Sequence, residues 1–281
     1  MILLGHTSAL EHAAYGVLGA GLLAVYGAGW VRMRAASRRR LWSWVAGIVA
    51  MLLASAPWME GVAERTFTGH MCQHLLVIVV AAPLLVVAQP VRTIGGGLGV
   101  ASTGRGRRLA AGWRRAAPLL APLCFIGALF VTHLTSIYDE ALGNRLVHEV
   151  EHAAYLLGAL AVWSAVLAPG RGAAAARAAV AFAVTAGGSL LGMILLSAPE
   201  PLIDTYATRL GVERALDDQR AAAALMWISG MATTVPLLIV AVWRWASTED
   251  RIAHRAEALT DGQVAFTRRQ GGSPARHSAP R

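Results

Sequence analysis

An all-α bundle of seven membrane-spanning helices, N-terminus outside and C-terminus inside, is the fold class that this sequence predicts. Three observations lead there. Hydrophobic residues fill 56% of the 281 positions and gather into long blocks, each near the roughly 20 residues that a helix needs to cross a bilayer. Charged residues make up only 15%, where a soluble domain carries about a quarter, and mean hydropathy is +0.52. The basic residues fall in alternate loops between the blocks, the pattern that membrane orientation produces.

The spans are expected at 9–31, 41–58, 70–90, 117–135, 147–168, 176–198 and 220–245. No positive charge precedes Glu11, so the first block reads as an uncleaved span and not as a signal peptide. The second follows the run Arg38-Arg39-Arg40. The third opens on His70 and contains Pro83, which is expected to kink it. The fourth follows Arg114-Arg115 and ends beyond His133, and the fifth opens on His148 and His152. Gly187, Gly188 and Gly192 interrupt the sixth, but membrane helices tolerate glycine and use it for close approach. The seventh starts after Asp217-Asp218-Gln219, where acids suit the helix dipole and serve as caps or docking contacts, and Pro236 is expected to kink it.

Arginine supplies every basic charge, and its placement sets the topology. One set of loops holds Arg32, Arg34 and Arg38 to Arg40, then Arg92, Arg105, Arg107, Arg108, Arg114 and Arg115, then Arg171 and Arg177; seven more lie between Arg244 and Arg281. The opposite loops hold Arg65, Arg145, Arg209, Arg214 and Arg220, together with most of the acids. The positive-inside rule therefore puts the N-terminus outside. The chain divides into a transmembrane domain, 1–246, and a flexible cytoplasmic tail, 247–281, in which Gly271-Gly272, Pro274 and Pro280 break any apolar period. The net charge of +9 is absorbed by the inner loops, so no nucleic-acid partner is expected. The abundance of alanine and the use of arginine alone hint at a GC-rich bacterial genome, and the expected location is then a bacterial plasma membrane, with lipid as the surrounding partner. Cys72 and Cys124 both lie in apolar segments, and no disulfide is expected.

The chemistry of the chain lies in its histidines. On this topology seven of the nine stand at one depth, the outer ends of the spans: His6, His12, His70, His74, His133, His148 and His152. His70/His74 and His148/His152 have the i,i+4 spacing that stacks side chains on one helix face. The spans that enter from outside carry these histidines in their first turns, where the helix dipole favours the neutral, ligating imidazole. One histidine at an interface is ordinarily an amphipathic anchor, and one i,i+4 pair is weak grounds for a metal. Two pairs with three more at the same depth make a metal or haem site the better reading. Glu11-His12-Ala13-Ala14-Tyr15 recurs as Glu151-His152-Ala153-Ala154-Tyr155, and Glu151 is placed to orient a ring. Cys72 lies about 200° round the helix from His70, so its thiol faces away. Met59 and Met71 lie at the depth for thioether contacts to cuprous ion, though methionine also serves as packing. His254 and His277 lie in the tail and need no role.

A resemblance rests on the same residues. His70-Met71-Cys72-Gln73-His74-Leu75-Leu76 running on to Ala82-Pro83-Leu84-Leu85 resembles the signature helix of the bacterial CtaG family, membrane assembly factors for cytochrome c oxidase. His133 with Ile137-Tyr138-Asp139, His148-Glu149-Val150-Glu151-His152 and Trp163 are similar to its second histidine block. Ala198-Pro199-Glu200-Pro201-Leu202, Asp218-Gln219 and Met226-Trp227 resemble its closing segments. The likeness covers about 55–245, with Ile203 standing where the family has tyrosine and Ala223 where it has glycine. It implies a non-enzymatic role in oxidase maturation, helping copper reach the catalytic subunit, with oxidase subunits and a soluble copper chaperone as partners. Three other readings compete. A seven-span zinc hydrolase would use the same histidines with a carboxylate activating water, a haem carrier would hold a single outer haem, and a scaffold would use its histidines only as anchors.

Overall fold

A computed structural model describes residues 9–33, 37–99, 103–167 and 174–271. Among them every regular element is a helix and there is no strand. In chain order the helices are α1 (Ala9–Arg32), α2 (Arg38–Ala54), α3 (Pro57–Ala63), α4 (Phe67–Leu75), a π-helical segment (Leu76–Ala81), α5 (Ala82–Ala88) and α6 (Pro90–Gly97). They continue with α7 (Gly104–Leu134), α8 (Ile137–Gly143), α9 (Arg145–Val166), α10 (Ala174–Ser197), α11 (Asp204–Leu210) and α12 (Val212–Gly271).

Five stretches are long and apolar enough to cross a membrane: Ala13–Arg32, Phe67–Gly97, Gly104–Leu134, Ala174–Ser197 and Val212–Ser247. A sixth, Arg38–Ala54 with Pro57–Ala63, qualifies if that pair, bent by 53°, counts as one span. The stretch expected at 147–168 forms α9 but is not among them, because His148, Glu149, Glu151 and His152 dilute its apolar character. Large apolar side chains such as Val17, Leu119, Leu123, Phe182, Ile228 and Ile239 are exposed around the bundle, as the surface of a multi-pass membrane protein requires.

The structure extends the expected elements. The arginine-rich connection before the fourth span is largely helical: α6 occupies its start, and α7 begins at Gly104, where the Thr103 hydroxyl accepts from Gly106 N (3.1 Å). Helical backbone also continues through 247–271, where the sequence lacks apolar periodicity. On the side of the histidines, α3, α8 and α11, seven residues each, replace what the sequence offers only as connections.

Two buried clusters hold the bundle. The larger runs from Phe67, Met71 and Tyr138 through Phe125, Tyr155 and Leu191 to Tyr206, joining α4 and α7 to α12. The smaller, at the other end, stacks Tyr26 on Trp44 with centroids 4.7 Å apart beside Ile48 and Ala88. There α1 and α6 meet backbone to backbone, since a Cβ on Gly97 would stand 2.3 Å from the Gly29 carbonyl oxygen.

In the third expected span a π-helical turn, Leu76–Ala81, directly precedes the helix that opens on Ala82-Pro83. Proline has no N–H, so in π register the Ile78 carbonyl loses its donor. The Trp163 indole supplies one, Nε1 donating to Ile78 O at 2.8 Å, and so ties α9 to the π turn.

Candidate metal centre

The loops opposite the arginine-rich side set the two histidine helices in place. Thr66 caps α4, its hydroxyl accepting from Gly69 N at 3.1 Å. Asp218 of α12 caps the same turn from outside, accepting from Phe67 N at 2.6 Å and Thr68 N at 3.3 Å. Gly69 admits α3, because a Cβ there would lie 2.6 Å from Val62 O. Asn144 caps α9, accepting from Leu146 N at 3.0 Å. Asp139 of α8 accepts from Asp204 N (3.2 Å) and Thr205 N (2.8 Å), which fixes α11. Gln219 accepts from Leu202 N at 2.8 Å and donates to Leu195 O at 3.0 Å. At the start of the last span Asp218 is therefore a cap and Gln219 a tie between helices, while Asp217 pairs with Arg220 on its own helix.

On this frame His70 and His74 of α4 face His148 and His152 of α9. Ring centroids lie 4.3 Å apart for His70/His74 and 4.2 Å for His148/His152. Across the helices, His74/His152 are 4.9 Å apart and His70/His148 5.3 Å. Glu151, 3% exposed, stands between them, with carboxylate oxygens 3.9 Å from His70 Nε2 and 3.9 Å from His74 Nε2. Ligand atoms of His70, His74 and His152 lie within 4.8 Å of one another, and so do those of His70, His148 and Glu151.

Hydrogen bonds assign roles to individual ring atoms. Tyr206 donates to Ala63 O (2.7 Å), so its oxygen, 3.4 Å from His70 Nδ1, can only accept there. His70 then carries its proton on Nδ1 and presents the lone pair of Nε2. Burial pushes the Tyr206 and Tyr138 phenols well above the usual tyrosine value, so both remain protonated. Tyr155 donates to Glu151 Oε1 (3.1 Å) and also contacts Thr132. Among the described residues six buried site atoms have no hydrogen-bond partner: His70 Nε2, both ring nitrogens of His74, His133 Nε2, His152 Nε2 and Glu151 Oε2.

His70, His74, His148 and His152 thus come together as their spacing suggests. His133 is buried close by but joins neither ligand set. Its Nδ1 donates to Leu129 O (2.9 Å), and its ring lies 5.3 Å from Tyr138 and 6.3 Å from Tyr155. His6 lies outside the described residues, as does the side chain of His12, whose backbone belongs to α1. Cys72 is exposed and Cys124 is likewise a free, exposed thiol, whereas Met71 is packed in the core and lines a small apolar cavity with His74, His133 and Tyr155. The repeated Glu-His-Ala-Ala-Tyr motif splits its work: Tyr155 serves Glu151, while Tyr15 reaches across to donate to Glu149.

Sequence reasoning places Glu151 as an orienting group on its own helix, names Tyr138 only within the Ile137-Tyr138-Asp139 likeness, and does not single out Tyr206. The signal for Tyr155 is present in its i,i+4 spacing from Glu151. Tyr206 approaches His70 from α11, 136 residues away in sequence, and no local pattern announces it.

A comparison with protein-family models decides the family: residues 24–248 match that of the cytochrome c oxidase caa3 assembly factor (Caa3_CtaG). The chain belongs to this family. The matched region of this Caa3_CtaG member takes in the end of α1 and both histidine helices, so the likeness read from the motifs extends towards the N-terminus. Among curated proteins, an uncharacterized protein of Mycobacterium leprae is 27% identical over 273 residues, 89% of this chain and 40% of the relative. Uncharacterized proteins of Mycobacterium bovis and Mycobacterium tuberculosis are each 22% identical over 271 residues, 89% of this chain and 41% of theirs. The chain therefore spans about two fifths of the length of these relatives. No solved structure matches.

Proposed function

We propose that this chain is a seven-span assembly factor of a bacterial plasma membrane that holds copper at an outer-face histidine cluster and passes it to the catalytic subunit of cytochrome c oxidase. The observation that carries the reading is the convergence of four imidazoles and Glu151 in a site where buried nitrogens of His70, His74 and His152 and Glu151 Oε2 lack hydrogen-bond partners. Buried polar atoms are nearly always paired, and leaving one unpaired costs about 1–3 kcal/mol. A bound cation accepts several of these lone pairs at once. Neutral imidazoles select a late first-row metal, and copper stands highest in that order.

With α9 counted as a span and the bent α2–α3 pair as another, seven crossings put the N-terminus outside and the arginine-rich connections inside. The histidines then face the compartment from which a soluble chaperone would supply copper. The role is non-enzymatic: the ion is cargo, and the protein binds and releases it. One observation favours the zinc-hydrolase alternative, since a carboxylate beside two imidazoles is also what activates a metal-bound water.

The test is made in cells lacking this chain, measuring the copper content and oxygen consumption of the purified oxidase after complementation. Wild type should restore both, and His70→Ala/His74→Ala should restore neither while still reaching the membrane. Full restoration by the double variant would sink the proposal.

A further inference from the structure

The two ligand sets share one residue, His70. A shared imidazole bridges two ions only if both its nitrogens are available, and here the Nδ1 side is taken. Tyr206 spends its proton on Ala63 O and faces His70 Nδ1 as an acceptor, leaving Nε2 as the single ligating atom. His70 can therefore serve one set or the other, never both at once. Neither set contains His74 and His148 together, so the four histidines do not form one four-imidazole site.

We infer that the cluster is two alternative stations for a single copper ion, which moves between them by exchanging ligands about a fixed His70. This rests on the copper-binding reading given above. The outer station is His70, His148 and Glu151, and the inner station is His70, His74 and His152. Each set has two buried members and one half-buried member, so the order rests on comparing His148 of one with His74 of the other. His148 is half-buried and, with His152, lines a cavity of about 360 Å³ between α1, α2 and α9, whereas His74 is 2% exposed. Met51, Glu60 and Glu149 share that cavity wall and give a cation soft and anionic contacts on its way in. Glu151 lies 3.9 Å from the Nε2 atoms of both His70 and His74, so its negative charge stays beside the ion at either station. The oxidation state of the ion is unchanged in the move; one imidazole–carboxylate pair is exchanged for two imidazoles.

The experiment loads detergent-purified full-length protein with cuprous ion under reductant. Bound copper is counted by plasma mass spectrometry, and its release to a water-soluble cuprous chelator is timed. Wild type should hold one copper per chain. His74→Ala keeps the outer station and His148→Ala keeps the inner, so each should also retain one copper. His70→Ala should lose it. Release should be at least about tenfold faster from His74→Ala than from His148→Ala, a difference of about 1.4 kcal/mol in barrier. His74→Gln and His148→Gln, with circular dichroism on every sample, separate loss of a ligand from loss of fold. Two coppers per chain in wild type would overturn the inference, as would abolition of binding by His74→Ala and His148→Ala alike in folded protein. Absence of copper from wild type would instead overturn the copper-binding reading, and the stations with it.

Discussion

His70 carries the most consequence of any residue in the chain, and what fixes it is Tyr206. The phenol holds Ala63 O at 2.7 Å with its own proton and stands 3.4 Å from His70 Nδ1. Tyr206→Phe removes that acceptor and leaves the ring shape intact. It is expected to lower stability by about 1 kcal/mol and to weaken copper binding by about 10–100-fold through loss of ring orientation. Thermal unfolding and chelator competition measure the two effects, and an unchanged copper affinity would remove Tyr206 from the account. Asp218 acts one turn earlier, capping the start of α4 through Phe67 N and Thr68 N. Asp218→Ala should cost about 0.5–2 kcal/mol as a lost cap, read as a lower unfolding midpoint. At Gly69 a methyl group would meet Val62 O at 2.6 Å, so Gly69→Ala forces α3 away from the histidine turn and should cost about 1–3 kcal/mol.

The helix that carries His70 and His74 passes directly into a π-helical turn and then Pro83. Trp163 on α9 fills the carbonyl that the proline orphans, which fixes the two histidine helices to each other below the site. Trp163→Phe keeps the ring and loses the donor. It should cost about 1 kcal/mol, and native-state hydrogen exchange of the amides in 76–81 should accelerate; unchanged exchange there would show that the π turn does not depend on the tie. The sequence makes the long elements readable because apolar blocks and prolines are local signals. It also makes the two histidine pairs readable, since i,i+4 spacing is a property of one helix. The seven-residue helices α3, α8 and α11 are too short for periodicity to register, and the phenols of Tyr138 and Tyr206 come from two of them. The carbonyl left over at the π turn is met by the hydrogen bond from Trp163 to Ile78, 85 residues apart, which no window of sequence contains.

Across the whole molecule, membership of the cytochrome c oxidase caa3 assembly factor family and a buried histidine cluster at one end of an apolar bundle support the same role. Orientation is the global feature on which that role depends. In a Cys72→Ala/Cys124→Ala background, an impermeant thiol reagent applied to intact cells should label Leu146→Cys, which is 72% exposed beside the site. Arg105→Cys should react only after the membrane is opened, and the reverse pattern would put the cluster on the inner side. Alternating arginine is what predicts this orientation, without coordinates. Mutual packing is not legible: why His133 stands apart from the other four histidines follows from Tyr138 and Tyr155 lying beside its ring, which depth alone cannot reveal. The measurement that bears most directly on the central claim is the metal content of the detergent-purified protein after copper loading, wild type against His70→Ala/His74→Ala. Copper retained by the wild type and lost by the variant is the predicted result. Equal copper in both, or zinc in place of copper in the wild type, would contradict it.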